Sequence, residues 1–269
     1  MSAAMTTERD DEIGLVTAAY DAFAPFYDML TRDADHDWWW SALLPLAEAA
    51  GLPGTRVLDV ACGTGRSLAP LVACGWSVMG VDASAGMLAQ ARARLGPAVP
   101  LSEGDMRELP RLGGFDLVCA LNDAVNYLLG ERQLADAFAG FRRNLVPGGV
   151  VVFDVSTLAT FRDPAVLVQQ DPGRVVLVDH DAGPTLPPGA LVRSEFIVME
   201  QRDGFLWNCR RNPHFQRHHP DAEIRRALTT ADLELVATYG QTGKTITPGA
   251  DESTDERVVY VARAATRRR

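Results

Sequence analysis

The stretch Val57-Leu58-Asp59-Val60-Ala61-Cys62-Gly63-Thr64-Gly65 decides the fold class of this chain. Its apolar first half predicts a buried strand, and its glycine-rich second half predicts a loop. The residues that follow, 66–74, are helix-forming and stop at Gly75. A strand, a loop and a helix in this order are typical of a parallel α/β sheet. Glycines in such a loop adopt positive φ angles without strain and let the backbone approach a ligand closely.

The same alternation of strand and helix continues along the chain. Because strand–helix–strand crossovers are right-handed, the pattern predicts a Rossmann-like, doubly wound, mostly parallel sheet of seven strands. The predicted strands are 56–60, 77–81, 101–102, 115–121, 150–155, 233–239 and 257–264. The predicted helices between them are 66–74, 84–95, 131–145 and 221–230.

Composition changes along the chain predict its organisation. Residues 1–11 are polar and are expected to be disordered, and residues 12–51 are expected to form a helical lid. The core is predicted over 52–156 and 221–265. Between these parts, 157–220 has Pro and Gly breaks and alternating runs at 175–179, 191–200 and 205–211, which predict an inserted antiparallel β lobe. We expect this lobe to shape a substrate pocket and to join copies of the chain into a homo-oligomer.

The net charge of −9 argues against a nucleic-acid partner, which requires a basic surface. The basic end, 267–269, is expected to be a solvated tail. No apolar run reaches 18 residues, so we expect no membrane span. The four cysteines lack metal-ligand spacing and favour a reduced, cytoplasmic protein. The cluster His214, Arg217, His218 and His219 lacks a second phased ligand pair, and we expect no metal.

The glycine loop is compatible with a dinucleotide or with a methionine-linked nucleoside. A dinucleotide fingerprint needs a third glycine, but Arg66, Ser67 and Leu68 follow Gly65. Asp59, just before the loop, suits an ammonium group better than a pyrophosphate. The observation therefore favours the methionine-linked nucleoside.

Two further acidic positions follow the next predicted strands. Asp82 ends the second strand, 17 residues beyond Gly65, where a carboxylate can accept both ribose hydroxyls. Asp105 follows the third strand and is placed to accept from an adenine amine, with the Met106 amide facing the ring. A helix cap remains the alternative role for Asp82, and a solvated loop position the alternative for Asp105.

These motifs resemble the class I S-adenosylmethionine-dependent methyltransferases over roughly 55–155. The chain is most similar to bacterial small-molecule N-methyltransferases of the antibiotic and amino-sugar pathway type. The motifs that support this are Tyr20-Asp21-x-Phe23-Ala24-x-x-Tyr27-Asp28, Asp123-Ala124-Val125-Asn126-Tyr127-Leu128-Leu129, Pro147-Gly148-Gly149 and Phe215-Gln216-Arg217-His218-His219-Pro220.

The resemblance implies S-adenosylmethionine as cofactor and a small-molecule acceptor as substrate. The positions that it assigns to the cofactor are Asp59, Ala61, Gly63, Gly65, Asp82, Ala83, Met87, Asp105, Met106 and Asn122. It places Tyr20 and Tyr27 in the lid over the cofactor and the substrate.

Methyl transfer from a sulfonium depends mainly on alignment and on a nucleophile in the correct protonation state. The candidate catalytic residues are Tyr20, Tyr27, Asp123 and Asn126, and the candidate substrate contacts are Tyr127, Trp207, Arg217 and His219. Asp123 has two possible roles: it acts on the substrate, as a base or as an anchor for an ammonium group, or it only forms hydrogen bonds within its loop. Tyr20 and Tyr27 are either catalytic residues or ordinary aromatic residues of the core.

Amine and hydroxyl acceptors both remain open at this point. A nucleic-acid methyltransferase on this fold is disfavoured because the loop after the fourth strand, Asn122-Asp123-Ala124-Val125, lacks the two prolines of the [DN]-P-P-[YF] motif. A protein methyltransferase and a non-catalytic cofactor-binding module remain as weaker alternatives. The missing third glycine disfavours a nicotinamide oxidoreductase.

Overall fold

The computed structural model describes residues 2–181 and 183–265, with side chains from residue 14 onward except residue 15. The predicted C-terminal tail, 267–269, lies outside the described residues. The chain begins with two helices, α1 (Ser2–Leu30) and α2 (His36–Ala49). Helical backbone therefore includes residues 2–11, which the sequence predicts to be disordered. Asp35 caps α2 by accepting a hydrogen bond from the Trp38 backbone N–H at 2.9 Å.

The core begins with five parallel strands. They are β1 (Arg56–Val60), β2 (Ser77–Asp82), β3 (Leu101–Glu103), β4 (Phe115–Ala120) and β5 (Leu145–Ser156). The connecting helices are α3 (Leu68–Ala73), α4 (Ala85–Leu95) and α5 (Glu131–Asn144), with short 3₁₀ helices at Met106–Glu108 and Ala124–Tyr127. These elements confirm the doubly wound architecture that the sequence predicts.

The inserted lobe is a separate antiparallel sheet of four strands. After the short helix α6 (Leu158–Arg162) come β6 (Leu167–Asp171), β7 (Arg174–His180), β8 (Leu191–Gln201) and β9 (Trp207–Arg217). The sequence pattern missed β6, whose residues are mostly exposed, and ended the last strand at residue 211. Strand β9 continues to Arg217, and this extension brings the lobe against the core.

The chain returns to the core through α7 (Asp221–Thr230), β10 (Leu233–Thr242), β11 (Thr245–Pro248) and β12 (Arg257–Ala264). The strand order is β11-β10-β12-β5-β4-β1-β2-β3, so the sheet has eight strands rather than the predicted seven. The additional strand is β11, a four-residue edge strand that forms a hairpin with β10. Strands β12, β10 and β11 run antiparallel to their neighbours.

Three apolar clusters stabilise this arrangement. One face of the main sheet packs on α5 and α7 through Phe138, Phe153 and Tyr260, the last two stacked with ring centroids 5.0 Å apart. The other face packs on α2, α3 and α4. The third cluster joins α1 to the inner face of the lobe, where Phe23 and Phe26 contact Val176 and its neighbours. The lid and the lobe therefore form one wall above the sheet.

Gly65 allows the loop after β1 to pack against α4. A Cβ added there would lie 2.8 Å from Leu95 Cδ1 and 3.2 Å from Ala91 Cβ, and φ is +74°. At Gly75, φ is similar (+79°), but an added Cβ meets no atom of the described residues within 4 Å. Substitutions at these two glycines therefore separate the cost of backbone strain from the cost of steric overlap.

We expect Gly75→Ala to lower the free energy of unfolding by about 1 kcal/mol, because an alanine in the left-handed region is strained. Gly65→Ala adds overpacking to that strain and should cost about 1–3 kcal/mol more. Urea unfolding measures both values. Equal losses for the two variants would contradict the packing role of Gly65.

Candidate active site

A cavity of about 840 Å³, including its mouth, lies at the carboxyl ends of β1 to β4 and beneath α1. This is the edge at which open α/β sheets bind ligands. The lining residues come from the loops after successive strands and from the lid helix. Of the predicted site residues, those that line it are Tyr20, Tyr27, Ala61, Gly63, Asp82, Ala83, Met87, Asp105, Met106, Asn122 and Tyr127.

The loop after β1 approaches the cavity with its backbone. Ala61 and Gly63 line it and have φ angles of +61° and +54°. Gly65 also has positive φ but faces α4, so its role is packing and not contact with the cofactor. Asp59 is fully buried behind the loop, where it accepts a hydrogen bond from the Ser67 hydroxyl. Burial raises the pKa of the Asp59 carboxyl group to about 7. Direct contact between Asp59 and the cofactor, as predicted, does not fit this placement.

Asp82 lies at the end of β2 with its carboxylate at the cavity. Its Oδ2 accepts from the Gly63 backbone N–H at 2.7 Å, and its Oδ1 accepts from the Ser84 N–H at 2.8 Å. Each oxygen retains a lone pair, so the group can still accept two hydroxyls. Burial raises the pKa of Asp82, and the two backbone hydrogen bonds oppose that shift. Asp82 therefore both fixes the glycine loop and presents acceptors to a ligand.

The loop after β3 closes the other end of the cavity. Asp105 begins the 3₁₀ helix Met106–Glu108 by accepting from the Arg107 N–H at 2.8 Å. Its carboxylate also forms an ion pair with the Arg107 guanidinium. Asp105 therefore has the predicted position at the cavity, but its charge is already compensated by Arg107.

The turn after β4 places two consecutive residues in the left-handed region. Asn122 has φ of +59° and Asp123 has φ of +54°. The fully buried carboxylate of Asp154, on β5, accepts from both backbone N–H groups at 2.7 and 2.9 Å. Asp154 also pairs with Arg257, on β12. The sequence pattern gave no signal for Asp154 or Arg257, because both lie in strands far along the chain from this turn.

Asp123 lies in the same turn, beside the cavity. Its side chain is 26% exposed, and that of Arg257, 3.6 Å away, is 25% exposed. Gln216 donates to Asp123 at 3.0 Å, and the Ser156 hydroxyl is 3.4 Å away. We call Asp123, Arg257 and Gln216, with the partly exposed surface around them, the acceptor chamber. Burial raises the pKa of Asp123, and the charge of Arg257 offsets part of that rise.

Three tyrosines that line the cavity also lie close to Asp123. The Tyr20 hydroxyl donates to the Tyr127 hydroxyl at 2.7 Å, and the rings of Tyr20 and Tyr27 are 6.2 Å apart. Burial raises the pKa of each, and the nearby Asp123 charge adds to the rise. The hydroxyls of Tyr20, Tyr27 and Tyr127 therefore stay protonated at neutral pH.

Two aspartates that the site prediction omitted join the lid to the cofactor loops. Asp21 accepts from the Ser84 hydroxyl at 2.6 Å and from the Gly86 N–H at 2.8 Å. Asp28 accepts from the Thr64 hydroxyl at 2.7 Å and pairs with Arg94. The signal for them was present in the sequence, because Tyr20-Asp21 and Tyr27-Asp28 repeat after seven residues, about two helical turns.

Four more predicted site residues, besides Asp59, Gly65 and Asp123, lie outside the cavity. Asn126 is fully buried and uses its amide to join the turn to other strands, donating to Arg217 O and accepting from the Ser156 N–H. Arg217 pairs with Glu223 and contacts His219 Nδ1 at 3.0 Å. Trp207 is 43% exposed at the far end of β9, seven residues, or about 23 Å, from His214. We therefore assign Asn126, Arg217 and His219 to structure and remove Trp207 from the site.

The predicted substrate contacts Arg217 and His219 alternate with the residues that face the site. Side chains alternate along a strand, and those that face the site are His214 and Gln216, not Arg217 and His219. The error is a shift of one residue, which reverses every orientation. The contacts of His214 with Tyr127 and of Gln216 with Asp123 show which side chains face the site, and the sequence alone does not reveal these contacts.

Comparisons with known proteins agree with this geometry. Residues 57–149 match a family model described as a methyltransferase domain. A protein of Geobacillus sp. (strain WCH70), named provisionally as a methyltransferase, is 36% identical over 91% of this chain and 99% of its own. The chain belongs to the methyltransferase family. Its cofactor is S-adenosylmethionine, and its substrate is a small molecule.

One further relative and two solved structures are also similar to this chain. The dTDP-3-amino-3,4,6-trideoxy-alpha-D-glucopyranose N,N-dimethyltransferase of Streptomyces venezuelae is 36% identical over 80% of this chain and 90% of its own. The structure of DesVI from the same organism superposes with a TM-score of 0.73 at 29% identity, covering 90% of this chain and 98% of DesVI. The S-adenosylmethionine-bound amino pentose methyltransferase of Micromonospora echinaspora gives 0.70 at 26% identity, covering 91% and 97%.

The residues of this methyltransferase fit the cofactor. Asp82 offers two free lone pairs for the ribose hydroxyls, and Gly63 leaves backbone access at the cavity. At the position where a dinucleotide fingerprint requires its third glycine, the buried side chain of Leu68 packs against the sheet. The loop therefore does not suit a pyrophosphate.

We expect Asp82→Asn to weaken the affinity for S-adenosylhomocysteine by about 10–100-fold, since it loses charge-assisted hydrogen bonds of about 1.5–3 kcal/mol. Asp116→Asn is the matched control, because Asp116 also accepts from a backbone N–H, that of Arg56 at 2.9 Å, but at the start of β4. Calorimetry measures both affinities. Equal affinity for Asp82→Asn and the wild type would refute the assignment of Asp82.

Proposed function

We propose that this methyltransferase transfers a methyl group to the amine of a small molecule held in the acceptor chamber. The observation that supports an amine is the charge of the chamber. Asp154 and Asp123 supply two carboxylates, and Arg257 supplies one guanidinium. Arg257 pairs with Asp154 and also lies 3.6 Å from Asp123, so one guanidinium faces two carboxylates and the group carries net negative charge. Net negative charge in a partly buried group attracts a cation.

The proton balance of the reaction also fits Asp123. When bound, the cofactor would supply a methyl group on a sulfonium, whose carbon–sulfur bond breaks as the neutral amine forms the new carbon–nitrogen bond. An amine that arrives as an ammonium must lose one proton before attack, and the methylammonium product can leave with its remaining protons. Asp123 in its ionised form would hold the incoming ammonium and accept that one proton. The tyrosines cannot take this role from the carboxylate, because burial raises their pKa values.

A hydroxyl acceptor fits the chamber less well. A hydroxyl must lose its proton before or during attack, and this requires a base of much higher pKa than a carboxylate. Among the described residues that border the chamber, Asp123 is the ionised base we identify, and the three tyrosines remain protonated. We therefore favour N-methylation over O-methylation.

The relatives narrow the proposed acceptor class. Those of Streptomyces venezuelae and Micromonospora echinaspora are named for an amino sugar linked to dTDP and for an amino pentose. An amino sugar combines an ammonium for Asp123 with hydroxyls for neighbouring polar groups. We infer that the acceptor is an amino sugar, and that the enzyme belongs to the assembly of a secondary metabolite.

We expect Asp123→Asn to lower kcat on an amine acceptor by about 10²–10⁴-fold, because the group that receives the proton is lost. Affinity for S-adenosylhomocysteine should not change. In the wild type, kcat should rise with pH through the raised pKa of Asp123, and this limb should be absent in the variant. The test uses dTDP-3-amino-3,4,6-trideoxy-alpha-D-glucopyranose, the acceptor for which the Streptomyces venezuelae relative is named.

The matched control is Asp179→Asn, which removes an exposed carboxylate from β7 of the lobe. It should have wild-type kcat. A wild-type pH profile and kcat for Asp123→Asn would show that Asp123 is a loop residue and would remove the support for an ammonium acceptor.

The prediction of a homo-oligomer rests on exposed apolar groups of the lobe. Val166, Leu167 and Val168 lie about half exposed at its edge strand, and Phe205 and Leu206 project from the β8–β9 turn. We expect light scattering to give the mass of a dimer for the intact chain, and Phe205→Ser with Leu206→Ser to shift it towards the monomer. A monomeric mass for the intact chain would contradict the prediction.

No helix within residues 2–181 and 183–265 is long and apolar enough to cross a membrane. The proposal that the enzyme acts in the cytoplasm rests on its composition and on its free cysteines.

A further inference from the structure

A buried histidine lies where the lid, the core and the lobe meet. His214, on β9, stacks on Phe196 of β8 with ring centroids 3.8 Å apart and receives the edge of Tyr20 at 4.7 Å. Its Nδ1 is 3.4 Å from the Tyr127 hydroxyl. Among the described residues, its Nε2 is buried and has no hydrogen-bond partner. The ring is therefore fixed in position and has one polar contact, to the tyrosine pair.

The contacts of this group favour one direction of hydrogen bonding. Tyr20 donates its hydroxyl proton to the Tyr127 oxygen at 2.7 Å. The Tyr127 proton must then point elsewhere, and His214 Nδ1 is the acceptor within reach. Burial lowers the pKa of His214 to about 3, so the ring is neutral and Nδ1 can hold a lone pair, with the proton on Nε2. The chain of donors runs from Tyr20 through Tyr127 to His214.

This direction determines what Tyr20 presents to the cavity. Because Tyr20 uses its proton on Tyr127, its oxygen offers only lone pairs to a bound ligand. A neutral amine can donate an N–H to that oxygen and keep its own lone pair free for the methyl carbon. If the hydrogen bonds ran in the opposite direction, Tyr20 would donate to the amine and occupy the lone pair that must attack.

We propose that His214 is a positioning residue: by accepting from Tyr127, it directs the Tyr20 lone pair towards the N–H of the acceptor and so aligns the amine for attack. His214 does not contact the reacting atoms. It acts through Tyr127 and Tyr20. The inference rests on the proposed N-methylation.

The kinetic test compares three variants on the dTDP-amino-sugar acceptor. His214→Phe keeps the ring between Phe196 and Tyr20 but removes Nδ1, and we expect kcat to fall at least about tenfold with little change in KM. His214→Asn places an amide oxygen near the Nδ1 position and should restore part of the loss. His36→Phe is the control, because it also replaces a histidine whose pKa is lowered by burial, but one at the start of α2 and in a different surface cleft. Its kcat should equal that of the wild type.

The second test needs no acceptor. Nitrogen NMR of the full chain, labelled at histidine and bound to S-adenosylhomocysteine, reports which ring nitrogen of His214 is protonated, with His214→Asn assigning the signal. An unprotonated Nδ1 is expected. A protonated Nδ1, or equal kcat for His214→Phe and the wild type, would overturn the inference. If the wild type methylates no amine, the proposed function fails. The NMR result still decides the direction of the hydrogen bonds between Tyr20, Tyr127 and His214.

Discussion

The buried carboxylate of Asp154 is the contact on which the site depends. It accepts from two consecutive backbone N–H groups and pairs with Arg257. Those N–H groups belong to Asn122 and Asp123, and both residues have left-handed φ angles, which Asn and Asp adopt more readily than other non-glycine residues. This turn places Asn122 at the cofactor cavity and Asp123 in the acceptor chamber. Without Asp154 the two sites would have no fixed relation.

The cofactor cavity and the proposed acceptor site are formed by different parts of the chain. The cofactor cavity is built from loops at the ends of neighbouring parallel strands, which share one rigid sheet. The acceptor chamber combines the turn after β4 with the lobe through Gln216 and with the last strand through Arg257. The lid covers both, and Asp21 and Asp28 attach it to the cofactor loops. A change of the lobe can therefore alter the acceptor and leave cofactor binding intact.

This division explains how much of the protein the sequence could predict. Asp82 and Gly63 follow strands that periodicity identifies, so their common edge could be inferred. Asp59 and Gly65 belong to the same motif, but packing against Ser67 and Leu95, which periodicity does not describe, turns them from the cavity. His214 and Gln216 meet the core only through tertiary contacts, and a one-residue error of parity was enough to select Arg217 and His219 instead.

The central claim is that the chamber delivers an amine to the methyl group of the cofactor. The most direct measurement supplies S-adenosylmethionine with a ¹³C-labelled methyl group and two dTDP-sugars that differ only in an amine or a hydroxyl at the same carbon. NMR of the products locates the label. We predict labelled N-methyl product from the amino sugar and none from its hydroxyl counterpart. Label on the hydroxyl sugar, with none on the amine, would contradict the account.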